Sequence, residues 1–271
     1  MKIITLIENL VNGGNLQAEH GLSIYIETNK QKILFDTGQS GLFIQNARKL
    51  EIDLKDIDIL VLSHGHYDHT GGLYPFLAIN NKAKVYAKKN LFIPKYSSKN
   101  RFIGTLYKEE FLKDRMVLID SITEIATDVF IMPEIVIYNP NDTNFKGLTR
   151  KMGNELVPDV FDDELFLVLK LKDKINILTA CSHRGITNIC STATEHFNLP
   201  VSLILGGFHM KNCSNEQYLG ITHYFRNLQP ESIGVCHCTG IEKFADMHQE
   251  WKGHLFYNFT GYKIDHLYSH L

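Results

Sequence analysis

His64-Gly65-His66-Tyr67-Asp68-His69 places three imidazoles and one carboxylate within six residues. It follows directly on the apolar run Ile57-Asp58-Ile59-Leu60-Val61-Leu62, which reads as a buried strand. A strand ending in a tight His-x-His-x-Asp-His loop can aim several donor atoms at one point. Neutral imidazole nitrogens and a carboxylate oxygen are donors that Zn²⁺ prefers. In the extended part His64 and His66 project to one side, while Asp68 and His69 turn back from the start of the next element. That spacing suits two adjacent metal positions better than one. The regular spacing and the following Thr70-Gly71-Gly72 argue against a merely histidine-rich surface loop.

Working outward, residues 1–8, 22–27 and 32–35 read as strands, the last two joined by an Asn29-Lys30-Gln31 turn. Leu42–Leu50 has helical periodicity, Gly71–Ile79 reads as a short helix and Lys84–Ala87 as a strand. Residues 91–115 and 139–163 resist assignment. The second stretch holds Pro140, Gly147, Gly153 and Pro158 and is expected to be irregular. Order resumes with strands at Leu165–Leu169 and Ile175–Thr179, a helix over Ile186–Phe197 and a strand at Val201–Leu205. A helix over Glu216–Asn227, a strand at Ser232–Cys236, a helix over Ile241–Trp251 and a strand at Leu255–Phe259 complete the series. The order predicts an α/β fold: two strand-dominated halves, about 1–125 and 126–271, with helices outside them in a four-layer αβ/βα sandwich. His183 and His237 each follow a strand, repeating the placement of the first motif.

The 271 residues can form one domain with a large core. There are 28 basic and 30 acidic residues, for a net charge of −2. No basic stripe is present, so nucleic-acid binding is not expected. No apolar run of about 18 residues is long enough for a membrane span, and the N-terminus lacks a secretory pattern, so a cytoplasmic location is expected. Five cysteines, Cys181, Cys190, Cys213, Cys236 and Cys238, suit a reducing compartment rather than a disulfide framework. They read as small buried residues, with a metal or redox role as the alternative.

The His64–His69 motif resembles the H-x-H-x-D-H signature of the metallo-β-lactamase superfamily. Leu34-Phe35-Asp36-Thr37-Gly38 resembles the segment that precedes it there, and the resemblance covers nearly the whole chain. Within the superfamily the chain is similar to the dihydropterin–ribofuranosylaminobenzene phosphate synthase subgroup. That likeness rests on Ala18–Ser23, His64–Leu73, Cys181–Ile186, Gly206–His209 and Cys236–Gly240. It implies a single metallo-β-lactamase domain over 1–271, with the same sandwich of two mixed sheets and outer helices and with variable loops near 91–115 and 139–163.

By resemblance, His64, His66 and His183 hold a first metal, and Asp68, His69 and His237 a second. A bridging aspartate is usual on a strand between the last two histidine segments. Here that region reads Leu205-Gly206-Gly207-Phe208-His209-Met210, without a carboxylate. Either His209 occupies the space near the metals, as a ligand or as a proton donor to the leaving group, or the second site is weaker. The added positive charge would favour an anionic substrate. Di-iron oxidoreductase members carry glutamate at the position of His66, and histidine there favours Zn²⁺; one or two ions are expected, with Mn²⁺, Fe²⁺ or Ni²⁺ in a host that supplies them.

Around this set, Asp36 is a candidate for orienting a ligand histidine, or a plain turn aspartate. His20 lies either in the pocket or in solvent. Lys95, Tyr96 and Arg184 are candidate substrate contacts, the two cations alternatively being solvated charges. Asp163-Glu164 reads as a cap or a pocket wall. Tyr67, Phe208 and Tyr96 could stack on a pterin or simply pack.

The leading reading is a zinc-dependent hydrolase that acts on a small phosphate-containing anion. Hydroxide on the metal would be available because bound water ionises near pH 7, and Asp68 would orient the nucleophile or take its proton. The subgroup implies instead a synthase joining a dihydropterin diphosphate to an aminobenzene ribofuranosyl phosphate. A non-catalytic metal-binding protein is the reading from outside enzymology, and a homo-oligomer is left open.

Overall fold

The computed structural model describes residues 1–265. In chain order the elements are β1 Lys2–Ile7, β2 Ser23–Glu27, β3 Lys32–Phe35, α1 Leu42–Lys49, β4 Ile59–Val61, α2 Tyr67–Thr70, α3 Leu73–Ile79, β5 Lys84–Ala87, β6 Lys95–Ser97, α4 Glu109–Leu112 and β7 Met116–Leu118. They continue with β8 Thr123–Ala126, β9 Val129–Met132, β10 Leu148–Met152, β11 Glu155–Pro158, β12 Phe166–Lys170, β13 Ile175–Leu178, α5 Ile186–Phe197, β14 Val201–Gly206, α6 Asn215–Leu228, β15 Ser232–Val235, α7 Ile241–Glu250, β16 Leu255–Tyr257 and β17 Lys263–Ile264.

The chain divides into two compact units. The first contains residues 1–120 and 146–163 and the described residues from 259 on; the second contains 121–145 and 164–258. Each is built on a mixed seven-stranded sheet, so the fold is mixed α/β.

In the first unit the strand order is β17-β1-β2-β3-β4-β5-β7. Antiparallel β1–β2–β3 give way to parallel β3–β4–β5–β7. Parallel strands deliver their following loops to the same edge, so the residues after β3 and β4 emerge side by side. Apolar side chains of β1, β4 and β5 and of α1 and α3, among them Leu6, Phe43, Leu60, Phe76 and Val85, form its core.

The stretch 139–163, expected to be irregular, instead contains the hairpin β10–β11. Its turn is Gly153-Asn154, with Gly153 at φ +60°, a short-range hairpin signal. β10 also pairs with β6, giving a separate three-stranded sheet. The pairing partner lies about fifty residues upstream, so local pattern alone did not reveal it.

In the second unit the order is β16-β15-β14-β13-β12-β9-β8. Strands β13, β14, β15 and β16 are parallel, and β8, β9 and β12 complete the sheet antiparallel. α5 occupies the range its periodicity predicts. Ile186, Ile189, Cys190 and Ala193 are buried on one face, the stripe expected of a core-facing helix. The buried Asp142 carboxylate accepts from the Thr187 N–H (2.7 Å) and hydroxyl (2.8 Å) at its first turn, and Asn198 ends it in the left-handed conformation. Among the described residues, no helix is long and apolar enough to cross a membrane.

Candidate metal centre

In the first unit, the donors gather where β4 ends beside β3. Asp36 follows β3 at φ +60°, a strained setting for a non-glycine residue. Its fully buried carboxylate accepts from the Ser63 N–H (2.8 Å) and hydroxyl (2.6 Å) and from His69 Nδ1 (2.7 Å). The Ser63 hydroxyl in turn lies 2.9 Å from His64 Nδ1. With its proton given to Asp36, it accepts from that nitrogen. One carboxylate therefore orients two imidazoles, one directly and one through a serine. In the neutral rings this places the lone pair on Nε2, the nitrogen a metal would use. An outer carboxylate–imidazole contact of this kind is the usual companion of a ligating histidine.

The imidazoles sit close together: ring centroids are 4.8 Å apart for His64–His66 and 4.4 Å for His64–His69. Asp68 Oδ2 lies 3.9 Å from His69 Nε2 and 3.1 Å from Nε2 of the exposed His20. Phe161 packs edge-on against His66, with centroids 5.3 Å apart. Gly65, between the first two histidines, donates its N–H to Asp163 at 2.8 Å. A Cβ there would stand 2.0 Å from the Leu91 carbonyl oxygen, so only glycine fits.

Lys95, read from the sequence as a substrate contact or a solvated charge, is not a solvated charge. It is fully buried and ion-paired to Asp159 (2.6 Å) and Asp163 (2.9 Å), below the Phe161 ring. Burial alone would push its ammonium down, but the fields of Asp163 and Asp159 outweigh this and raise it. It braces the loop through these two ion pairs. Tyr96 lies on β6, with its ring against Phe102 at 5.7 Å.

In the second unit, the loops after the parallel strands β13, β14 and β15 carry the remaining candidates. His183 and Arg184 donate their backbone N–H groups to the two oxygens of the buried Glu164, each at 2.7 Å. His183 Nδ1 faces the Asn144 carbonyl at 3.3 Å. The Arg184 guanidinium donates to the Ile135 carbonyl (3.3 and 3.1 Å). The His209 ring lies 4.3 Å from that of His183, centroid to centroid, tilted by 46°. Its own N–H points at Cys238 Sγ, 3.3 Å away. Ser182, His209 and His237 all have φ between +50° and +58°. The donor atoms of Cys181, His183 and His209 lie within 4.8 Å of one another, as do those of Cys181, His237 and Cys238.

The donors in both units are imidazole nitrogens, thiol sulfurs and carboxylate oxygens, with three of the Nδ1 atoms engaged from outside. This chemistry fits a divalent transition metal such as zinc. Sequence reasoning missed the roles of Ser63, Asn144 and Phe161. It singled out Asp163 and Glu164 without seeing that each carboxylate anchors a histidine loop. Their position just ahead of a strand was the available signal.

A mixed α/β protein with histidine-rich loops after parallel strands is a metal-binding architecture. The chain belongs to the metallo-beta-lactamase superfamily, whose family model matches residues 16–155. It is 30% identical over 93% of its length, and 92% of the relative's, to 7,8-dihydropterin-6-methyl-4-(beta-D-ribofuranosyl)-aminobenzene-5'-phosphate synthase of Methanocaldococcus jannaschii. An uncharacterized protein of the same organism is 31% identical over 86% of this chain and 88% of its own. Among solved structures, a metal-dependent hydrolase of the beta-lactamase superfamily superposes with a TM-score of 0.86 at 32% identity, covering 98% of both chains. Superfamily membership and the synthase relative make the protein an enzyme.

Proposed function

We propose that the protein is a zinc-dependent hydrolase of a small, phosphate-bearing anion. The ligands in this reading are His64, His66, Asp68 and His69 in the first unit and His183 and His237 in the second. The observation that carries it is the Asp36 carboxylate, buried against His69 Nδ1 and, through Ser63, against His64. That arrangement serves coordination through Nε2. A bound divalent ion supplies Lewis acidity at phosphate oxygens and lowers the pKa of water toward neutrality. Asp68 accepts the nucleophile's proton at Oδ2 and passes it to His20 Nε2, 3.1 Å away and open to solvent. His209 protonates the leaving oxygen.

A second reading is favoured by the 30% identity to the synthase over almost the full chain. An arylamine nitrogen then replaces water, and diphosphate leaves a dihydropterin. Tyr67, with the Arg101 guanidinium 5.6 Å from its ring centre, offers a face for a flat heterocycle. Mass-spectrometric product analysis separates the two: zinc-loaded protein receives the dihydropterin diphosphate with and without the arylamine phosphate. A condensed product formed only with acceptor establishes the synthase. Failure to condense leaves hydrolysis, to be confirmed by phosphate release from a phosphoester panel. Inactivity on both eliminates both readings.

A further inference from the structure

We infer that Cys181, His237 and Cys238 form a thiolate-bearing site for one soft divalent cation in the second unit. The inference shares with the proposed function only its use of His237 as a ligand. The two cysteines are outside that assignment.

Topology brings the three residues together. Cys181 follows β13, and Cys236-His237-Cys238 follows β15, with β14 between them in the same parallel run. Their loops therefore emerge at one edge of the sheet. The donor atoms of Cys181, His237 and Cys238 all lie within 4.8 Å of one another. Two sulfurs on one tetrahedral zinc, each about 2.3 Å from the ion, stand roughly 3.8 Å apart, so modest side-chain rotation closes the set.

The surroundings are shaped for the Cys238 sulfur. Gly207 passes so close that a Cβ would stand 2.6 Å from Cys238 Sγ and 2.5 Å from the Ala180 carbonyl oxygen. Any other residue would displace the thiol. The sulfur accepts the His209 N–H at 3.3 Å and donates to the Cys181 carbonyl at 3.4 Å. The first contact persists when the thiol proton is lost, and the second is released with it. None of the cysteines is in a disulfide. Sulfur and imidazole donors select zinc-like ions over magnesium, calcium or manganese. Water completes the coordination. Binding displaces the two thiol protons to solvent.

The test is an anaerobic titration of the reduced, metal-free, full-length protein with Co²⁺, reading the thiolate-to-cobalt charge-transfer band in the near ultraviolet. A saturating band is expected in the wild type. Cys181→Ser and Cys238→Ser should each weaken it and the double substitution should abolish it, while His66→Ala keeps it. Cobalt bound without the band, or a band that survives the double substitution, overturns the inference. Should the variants misfold, the wild type still decides by alkylation with iodoacetamide. Zinc should protect Cys181 and Cys238 but not Cys213, and equal labelling with and without zinc overturns the site. Turnover without the band removes this site and leaves the proposed function standing; the band without turnover does the reverse.

Discussion

Asp36 accepts the Nδ1 proton of His69 at 2.7 Å, with both side chains wholly excluded from solvent. The pair fixes the ring's tautomer and direction before any ion arrives. Because the same carboxylate reaches His64 through Ser63, a single side chain sets the aim of two imidazoles.

Asp36→Asn keeps the shape but loses the charge. It should lower metal affinity by roughly 10- to 100-fold, the range seen when outer partners of ligating histidines are altered. Competition against a chromophoric chelator measures this. Unchanged affinity would show that His69 is not a ligand oriented by Asp36.

His209→Ala should keep at least one bound metal and lose most turnover, by about 10²-fold or more for a missing proton donor. Metal content by mass spectrometry and steady-state rates provide the comparison. Unaltered kinetics would make His209 a packing residue against His183.

Lys95→Met replaces a buried ammonium while Asp159 and Asp163 remain. Leaving those carboxylates without their cation should destabilise the fold by about 3–5 kcal/mol, read as a lower urea midpoint. If Lys95 instead contacted substrate, stability would hold and KM alone would rise.

Asp142 provides a pH-dependent test. Burial pushes its carboxyl up from 3.8 to about 6. Between those values the folded chain holds a proton that the unfolded chain has released, so stability falls as pH rises through the window. The full effect is about 3 kcal/mol, present below the lower value and lost above the higher one. Asp142→Asn should remove that part of the slope, seen by comparing urea unfolding of both proteins from about pH 4 to pH 7. Parallel slopes would show that the carboxyl is not perturbed.

Much of this arrangement is legible in the chain itself, because the informative signals are local. The α5 stripe from Ile186 to Ala193, the strand Ile59–Val61 and the His64–His69 loop each announce themselves within a dozen residues. What escapes is contact across distance. Lys95 reads as a substrate contact or a solvated charge until Asp159 and Asp163, more than sixty positions later, are seen paired to its ammonium. The hairpin of β10 and β11 carries a local signal at Gly153-Asn154, but its pairing with β6, far upstream, lies beyond the reach of local pattern. Cys181 and Cys238 look unrelated until parallel strands carry their loops to one edge.

The tightness around Gly65 limits how portable the motif is. Six residues identify the loop, but its shape depends on Leu91 pressing on the glycine, Asp163 holding its amide, Asp36 aiming the rings and Phe161 backing them. Grafted alone onto another scaffold, His64–His69 would bring its donors without their directions. The transplantable unit is the hexapeptide together with these four distant supports, and a designer would have to move all of them.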